Sequence, residues 1–166
     1  MIYVEFSEYK TLYGDKAISR ADFERLSWDA CRKLDVMTSG IDNVKKLKVA
    51  FPADEDNAET VKRCVCKLID TMSQIEKAAD TINQGRGYIE TANGLQGKVV
   101  SSVSAGNESV SYSAGGKNET VIDKAVADKV AQDKLYTDII IEYLSGVTDA
   151  NGVNLLYMGR YPYRIE

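Results

Sequence analysis

One seven-residue repeat of apolar side chains constrains the fold of this chain more than any other feature. Its members follow one another at alternating spacings of four and three, and they are Val61, Val65, Leu68, Met72, Ile75, Ala79 and Ile82. A stripe of this kind is typical of a coiled-coil helix, but the central helix of a small bundle uses the same positions. Because Cys64 and Ile69 widen the apolar face, we favour the bundle.

Helices are also predicted on both sides of this stripe. Ser19 can cap a helix whose apolar residues recur at spacings of three and four, and Gly40 is expected to end it. A short helix is expected before it, from about Ser7 to Tyr13. A third long helix, capped by Thr120 or Asn118, is expected to end at Gly146. The pattern therefore predicts a mainly α protein, a small bundle of three long helices plus a short N-terminal one.

The stretch between the second and third long helices has a different pattern. Over residues 97–113 Val100, Val103 and Val110 alternate with serines, and a Gly-Asn pair falls where the chain would reverse. This pattern predicts an inserted β-hairpin arm. An isolated hairpin is marginally stable in water, so we expect the arm to pack against another surface, such as a neighbouring subunit.

The C-terminal residues 147–166 begin with a polar turn and continue as a segment rich in tyrosine and arginine. These two residue types dominate binding energy at protein interfaces, which favours an extended tail that contacts a partner. A terminal strand packed on its own domain remains the alternative. We expect 1–166 to form a single domain with the arm and tail as its interfaces. The predicted interface residues are Val99, Val100, Val103, Val110, Tyr112, Leu155, Leu156, Tyr157, Arg160, Tyr161 and Tyr163.

The amino-acid composition includes few of the side chains that enzymes commonly use for catalysis. The chain has no histidine, which removes the commonest general base and the commonest metal ligand. Its three cysteines lack paired zinc spacing, so we interpret them as buried reduced thiols. The acids Asp54–Asp56 suit a helix start better than a calcium loop. We therefore expect no enzyme, no catalytic residue, no metal site and no cofactor. No secretion signal or membrane span is predicted.

The order of these features resembles a known family. A short helix with Tyr9 and Gly14 precedes the Ile18–Phe23 helix start, and a Cys/Val/Leu-rich central helix follows. The run 102–112, Ser-Val-Ser-Ala-Gly-Asn-Glu-Ser-Val-Ser-Tyr, comes before the last long helix, and Leu-Leu-Tyr-Met-Gly occupies 155–159. In the order of these features, the chain resembles the small head–tail connector (adaptor) proteins of long-tailed phages and prophages.

The resemblance implies a non-enzymatic virion structural protein. Members of the family form homo-oligomeric rings, typically of twelve, that dock on the portal, extend the DNA channel and join head to tail. The implied partners are further copies of the chain, the portal protein and a tail-side neck or stopper protein. DNA would pass through without specific binding. The implied location is the virion neck, after assembly in the bacterial host cytoplasm, with no membrane association.

A small phage-encoded regulatory or nucleic-acid-binding helical protein is the alternative function. The net charge of −4 argues against it, because phosphate binding requires clustered lysine and arginine side chains.

Overall fold

The computed structural model describes residues 2–14, 18–85, 87–91, 94–104, 109–113 and 120–162. These residues are mainly helical. The helices are α1 (Phe6–Tyr13), α2 (Arg20–Thr38), α3 (Lys46–Val49), α4 (Glu55–Gly85), α5 (Val121–Ala127) and α6 (Lys129–Leu144). Two compact units are formed, one from residues 1–73 and 133–166 and the other from residues 74–132. The predicted single domain with an arm stays a prediction.

Helix α2 begins as the sequence predicts. The Ser19 hydroxyl accepts a hydrogen bond from the backbone N–H of Asp22 at 3.1 Å, which satisfies one of the free donors of the first turn. One face of the helix is buried, including Leu26 and Leu34. Helix α1 packs against its beginning through aromatic rings, with the Phe6 and Phe23 centroids 5.2 Å apart. This aromatic contact holds α1 against α2.

The heptad stripe lies on α4, and its first half is fully enclosed by the first unit. Val61, Val65 and Leu68 have no exposed surface. Residues outside the stripe are buried as well, since Cys66 and Ser73 lie on other sides of the helix. A coiled-coil helix would bury one narrow seam, so burial on several sides confirms the bundle interpretation.

The third long helix is interrupted. Asp128 has φ −132° and ψ 121°, which is extended backbone, and it separates α5 from α6. The Asp128 carboxylate accepts a hydrogen bond from the N–H of Val130 at 2.9 Å, so the side chain supports the start of a new helix. The prediction of one continuous helix is therefore wrong at this point. Of the two predicted cap residues, Thr120 caps α5, because its hydroxyl accepts from the Asp123 N–H, and Asn118 lies outside the described residues.

Three strands occupy the stretch between α4 and α5. They are β1 (Gly87–Thr91), β2 (Gly94–Ser104) and β3 (Ser109–Ser113). The sheet order is β1-β2-β3, and both pairings are antiparallel. Strand β2 begins earlier than the predicted arm, and β1 has no counterpart in the prediction. The predicted reversal around Gly106 lies outside the described residues.

The segment after α6 folds back onto the first unit. Thr148 and Asn154 form an isolated antiparallel bridge, and Val147 and Leu155 are buried. The prediction of an extended tail is therefore wrong for residues 147–162. The alternative, a terminal segment packed on its own domain, describes their position better. Tyr143, near the end of α6, is only half-buried.

Candidate interaction surface

The turn after α2 is in close contact with the C-terminal segment through two glycines. A Cβ atom placed on Gly40 would lie 2.1 Å from the carbonyl oxygen of Gly159, a separation that real Cβ atoms do not show. The next residue, Ile41, donates its backbone N–H to the carbonyl of Met158 at 2.9 Å. The C-terminal segment is therefore held against the α2–α3 turn by direct backbone contact.

A buried lysine holds the same segment from the inside. Lys46, the first residue of α3, has no exposed surface, and its ammonium donates to the carbonyl oxygens of Leu155, at 3.0 Å, and Tyr157. Burial lowers the pKa of Lys46, while the carboxylates of Asp149 and Asp42 act in the opposite direction. A charged donor on two carbonyls makes strong hydrogen bonds, so Lys46 fixes the path of this backbone.

Asp149 organises the turn that precedes this segment. One of its carboxylate oxygens accepts the backbone N–H groups of Asn151 and Val153, each at 2.9 Å. The other accepts the hydroxyl proton of Tyr161 at 2.5 Å, and the Asn151 amide donates to the same hydroxyl at 2.8 Å. Buried polar groups that are all hydrogen-bonded favour one conformation over alternatives. The Tyr161 side chain therefore binds the C-terminal segment to the turn at Asp149.

A second contact of Tyr161 connects it to the turn after α2. Its backbone N–H donates to the carboxylate of Asp42 at 2.7 Å. This hydrogen bond, with further ones from backbone N–H groups including that of Val44, lowers the pKa of Asp42. The C-terminal segment is therefore fixed to the α2–α3 turn on both sides of Gly159.

Apolar side chains are exposed on this firmly held backbone. Ile41 is 76% exposed, Met158 60% and Tyr157 50%. The Tyr157 ring folds over Gly159, where a Cβ atom would come within 2.1 Å of the tyrosine hydroxyl. We refer to Ile41, Tyr157 and Met158 as the tail surface. Tyrosine and methionine are enriched at protein interfaces, and a surface that is already ordered loses little entropy on binding.

The predicted interface residues of the tail separate into two groups. Leu155 and Tyr161 are buried inside the first unit, so the prediction that their side chains contact a partner is wrong in this conformation. Leu155 fills the interior and Tyr161 completes the Asp149 network. Tyr157 and Arg160 are exposed, and Leu156 is half-buried. Tyr163 lies outside the described residues.

The predicted interface residues of the arm belong to the strands. Val99, Val100 and Val103 lie in β2, and Val110 and Tyr112 lie in β3. Val100 pairs with Tyr112 and Val103 with Val110 in the antiparallel register. The structure describes these residues only at the backbone. Their role as contacts for a partner stays a prediction.

Sequence reasoning missed several residues of this site. Gly40 was interpreted only as the end of a helix, and Lys46 and Ile41 had no assigned role. The signal for Gly40 and Lys46 is weak, because their partners lie more than a hundred residues away along the chain. Met158 could have been included from the run Leu-Leu-Tyr-Met-Gly, which places it beside a predicted interface tyrosine.

The three cysteines do not contribute a reactive group to this surface. Cys31, Cys64 and Cys66 are free and buried, as predicted. Burial raises the pKa of both Cys64 and Cys66 to about 12, so both are thiols at neutral pH. The thiolate is the nucleophilic form, which makes these side chains inert in the folded protein. Among the described residues, no group of three or more cysteine, aspartate or glutamate side chains could hold a metal ion.

Comparison with known proteins finds no matching family model, no matching curated protein and no matching solved structure. Within the ranges that the structure describes, none of the helices combines the length and the hydrophobicity that crossing a membrane requires.

Proposed function

We propose that this chain is a non-enzymatic virion structural protein, a head–tail connector subunit that docks on the portal of a tailed phage as a ring. The observation that carries the proposal is the tail surface. Its Tyr157 and Met158 are exposed, while the backbone beneath them is held by Lys46. Exposed apolar side chains on a backbone held this firmly suit a docking role.

The run that carries the family resemblance also has a structural role. Leu155 is buried, its carbonyl binds Lys46, and Gly159 admits both the Tyr157 ring and the turn at Gly40. The run Leu-Leu-Tyr-Met-Gly thus combines residues that fold the segment with residues that face solvent. This division supports a docking role for the exposed pair. The predicted partners are the portal protein, further copies of the chain and a tail-side neck or stopper protein.

The strands between α4 and α5 are the second element of the proposal. We propose that β2 and β3 form the hairpin arm that contacts a neighbouring subunit or the portal. Replacing residues 87–113 by a short glycine bridge should leave the helical circular dichroism of the first unit intact and abolish assembly on the portal. Loss of the helical signal would assign the strands to the fold instead.

Binding to purified portal rings tests the proposed function. The wild-type chain should sediment with rings of the portal protein encoded in the same genome, and the double variant Tyr157→Ala/Met158→Ala should not. Ile141→Ala is the matched control, since Ile141 is an exposed apolar residue of α6 outside the tail surface. Failure of the folded wild-type chain to sediment with the portal would contradict the proposal.

One observation favours the alternative, a nucleic-acid-binding protein. Arg32, Lys45 and Lys48 line a recess beside the exposed Trp28. Basic and aromatic side chains together can bind single-stranded nucleic acid. Retention of the chain on a DNA column at low salt would support nucleic-acid binding. Elution of the chain in the flow-through would argue against this alternative.

A further inference from the structure

An exposed basic surface with a tryptophan at its edge lies on α2 and the turn before α3, and the proposed docking of the tail surface on the portal does not involve it. Trp28 is the single tryptophan of the chain and is 56% exposed on α2. The guanidinium of Arg32, one turn later, lies 5.4 Å from the centre of its ring. This cation–π contact holds both side chains in place at the surface. Large exposed aromatic groups of this kind are frequent centres of protein interfaces.

Helix α3 and the residue that precedes it add two lysines to this surface, Lys48 and Lys45. The Lys48 ammonium lies 3.2 Å from the carboxylate of Asp35, a buried residue of α2 that also accepts the Tyr3 hydroxyl at 2.5 Å. The contact brings α3 beside α2, and Lys45 lines the same recess as Trp28. We refer to Trp28, Arg32, Lys45 and Lys48 as the Trp28 surface. Its three basic side chains give this surface a local positive charge, although the net charge of the whole chain is −4.

A complementary acidic surface exists on the same chain at the start of α4. Glu55 and Asp56 are exposed in its first turn. Neither has an ion-pair partner in the part of the chain that the structure describes. Asp54 has a separate role, since its carboxylate accepts the N–H of Asn57 at 3.0 Å and caps the helix. Two carboxylates are therefore available to a partner without loss of the cap.

We propose that the Trp28 surface binds the start of α4 of a second copy of this chain, with Glu55 and Asp56 of one copy against Arg32 and Lys45 of the other. The inference rests on the proposed function, because it identifies the contact between subunits. Charge complementarity supports a second copy as the occupant, since the required acidic segment is part of every chain. The contact buries the ring of Trp28, the one tryptophan, so its fluorescence reports on it directly.

A charge-swap experiment without the portal tests the contact. One variant carries Arg32→Glu and Lys45→Glu, and the other carries Glu55→Lys and Asp56→Lys. Lys48 and Asp54 stay unchanged because Asp35 and the helix cap need them. Lys77→Glu/Lys67→Glu is the control for Arg32→Glu/Lys45→Glu, with the same change of charge at two lysines of α4 outside the Trp28 surface. Circular dichroism verifies that each variant folds.

Sedimentation at concentrations up to about 1 mM measures self-association, and tryptophan emission measures burial of Trp28. The wild-type chain should self-associate, and its tryptophan emission should shift to the blue as it does so. Added salt should weaken the self-association. Each charge variant alone should associate at least about tenfold more weakly, while an equimolar mixture of the two should regain association. The control should match the wild type.

Three results would overturn the inference: no self-association of the wild type, unchanged association of the charge variants, or a mixture that fails to recover. Binding of DNA that is lost with Arg32→Glu/Lys45→Glu, without self-association, would assign the surface to nucleic acid instead. Portal binding is measured separately. Recovery in the mixture without portal binding would therefore retain the subunit contact and reject the connector function.

Discussion

Gly40 and Gly159 are in contact through their backbones, although 118 residues separate them along the chain. The carbonyl oxygen of Gly159 occupies the space that a side chain at position 40 would need. This contact joins the turn after α2 to the C-terminal segment and places Ile41 beside Met158. The tail surface depends on it, because the side chains of Ile41 and Met158 extend from the two backbones that meet there.

Substitution of Gly40 should separate these two backbones. Gly40→Ala forces the turn and the C-terminal segment apart, and we expect it to lower the free energy of unfolding by about 1–3 kcal/mol. Urea denaturation measures the change. The neighbouring Ile41→Ala, at a residue that is 76% exposed, is the control and should change stability by less than about 0.5 kcal/mol. Equal effects of both substitutions would argue against the close contact.

Removal of the Lys46 ammonium should loosen the C-terminal segment. Lys46→Met retains the length of the side chain but leaves the carbonyl groups of Leu155 and Tyr157 without their donor. The expected loss is about 1–3 kcal/mol, because a buried acceptor without a partner is unfavourable. Hydrogen exchange around residues 155–159 should also increase. Lys45→Met, at an exposed neighbour, should change neither quantity.

The interior of the first unit is tested at Leu68. Its side chain has no exposed surface, so Leu68→Ala should leave a cavity and lower the free energy of unfolding by about 2–5 kcal/mol. Val36→Ala on α2 removes methyl groups from a residue that is 60% exposed and should have little effect. A loss at Leu68 as small as that at Val36 would contradict the bundle.

The buried thiols predict how stability depends on alkaline pH. Burial raises the pKa of Cys64 from 9.0 to about 12, so the unfolded chain releases this proton at lower pH than the folded one. The stabilisation is complete below pH 9 and is lost as pH rises towards 12. Each such thiol contributes a slope of up to about 1.4 kcal/mol per pH unit in that window.

Cys64→Val removes one of these groups. Urea denaturation under reducing conditions should show a shallower loss of stability between pH 9 and 11 for the variant than for the wild type. Below pH 8 the two proteins should have the same dependence on pH. Identical slopes above pH 9 would mean that Cys64 is accessible to solvent in the folded protein.

The sequence predicts those parts of the fold that depend on local patterns. The stripe on α4, the Ser19 cap and the Thr120 cap follow from spacing and from hydrogen bonds within one helical turn. The break at Asp128 was missed because the residues on both sides are compatible with one helix. An aspartate in a helical pattern can as well face solvent as cap a new helix.

The tail surface depends on contacts that no local pattern contains. Lys46 reads as an exposed lysine among its basic neighbours, yet the fold buries it against the carbonyl of Leu155. Tyrosines indicate an interface by composition, but composition does not separate the buried Tyr161 from the exposed Tyr157. Both distinctions require the tertiary structure.

The number of copies that bind to the portal tests the central proposal most directly. Native mass spectrometry of purified portal rings, before and after addition of the chain, measures this number. We predict a mass increase equal to a ring of subunits that matches the portal symmetry, and no increase with Tyr157→Ala/Met158→Ala. An unchanged mass of the portal ring in the presence of the folded wild-type chain would contradict the proposal.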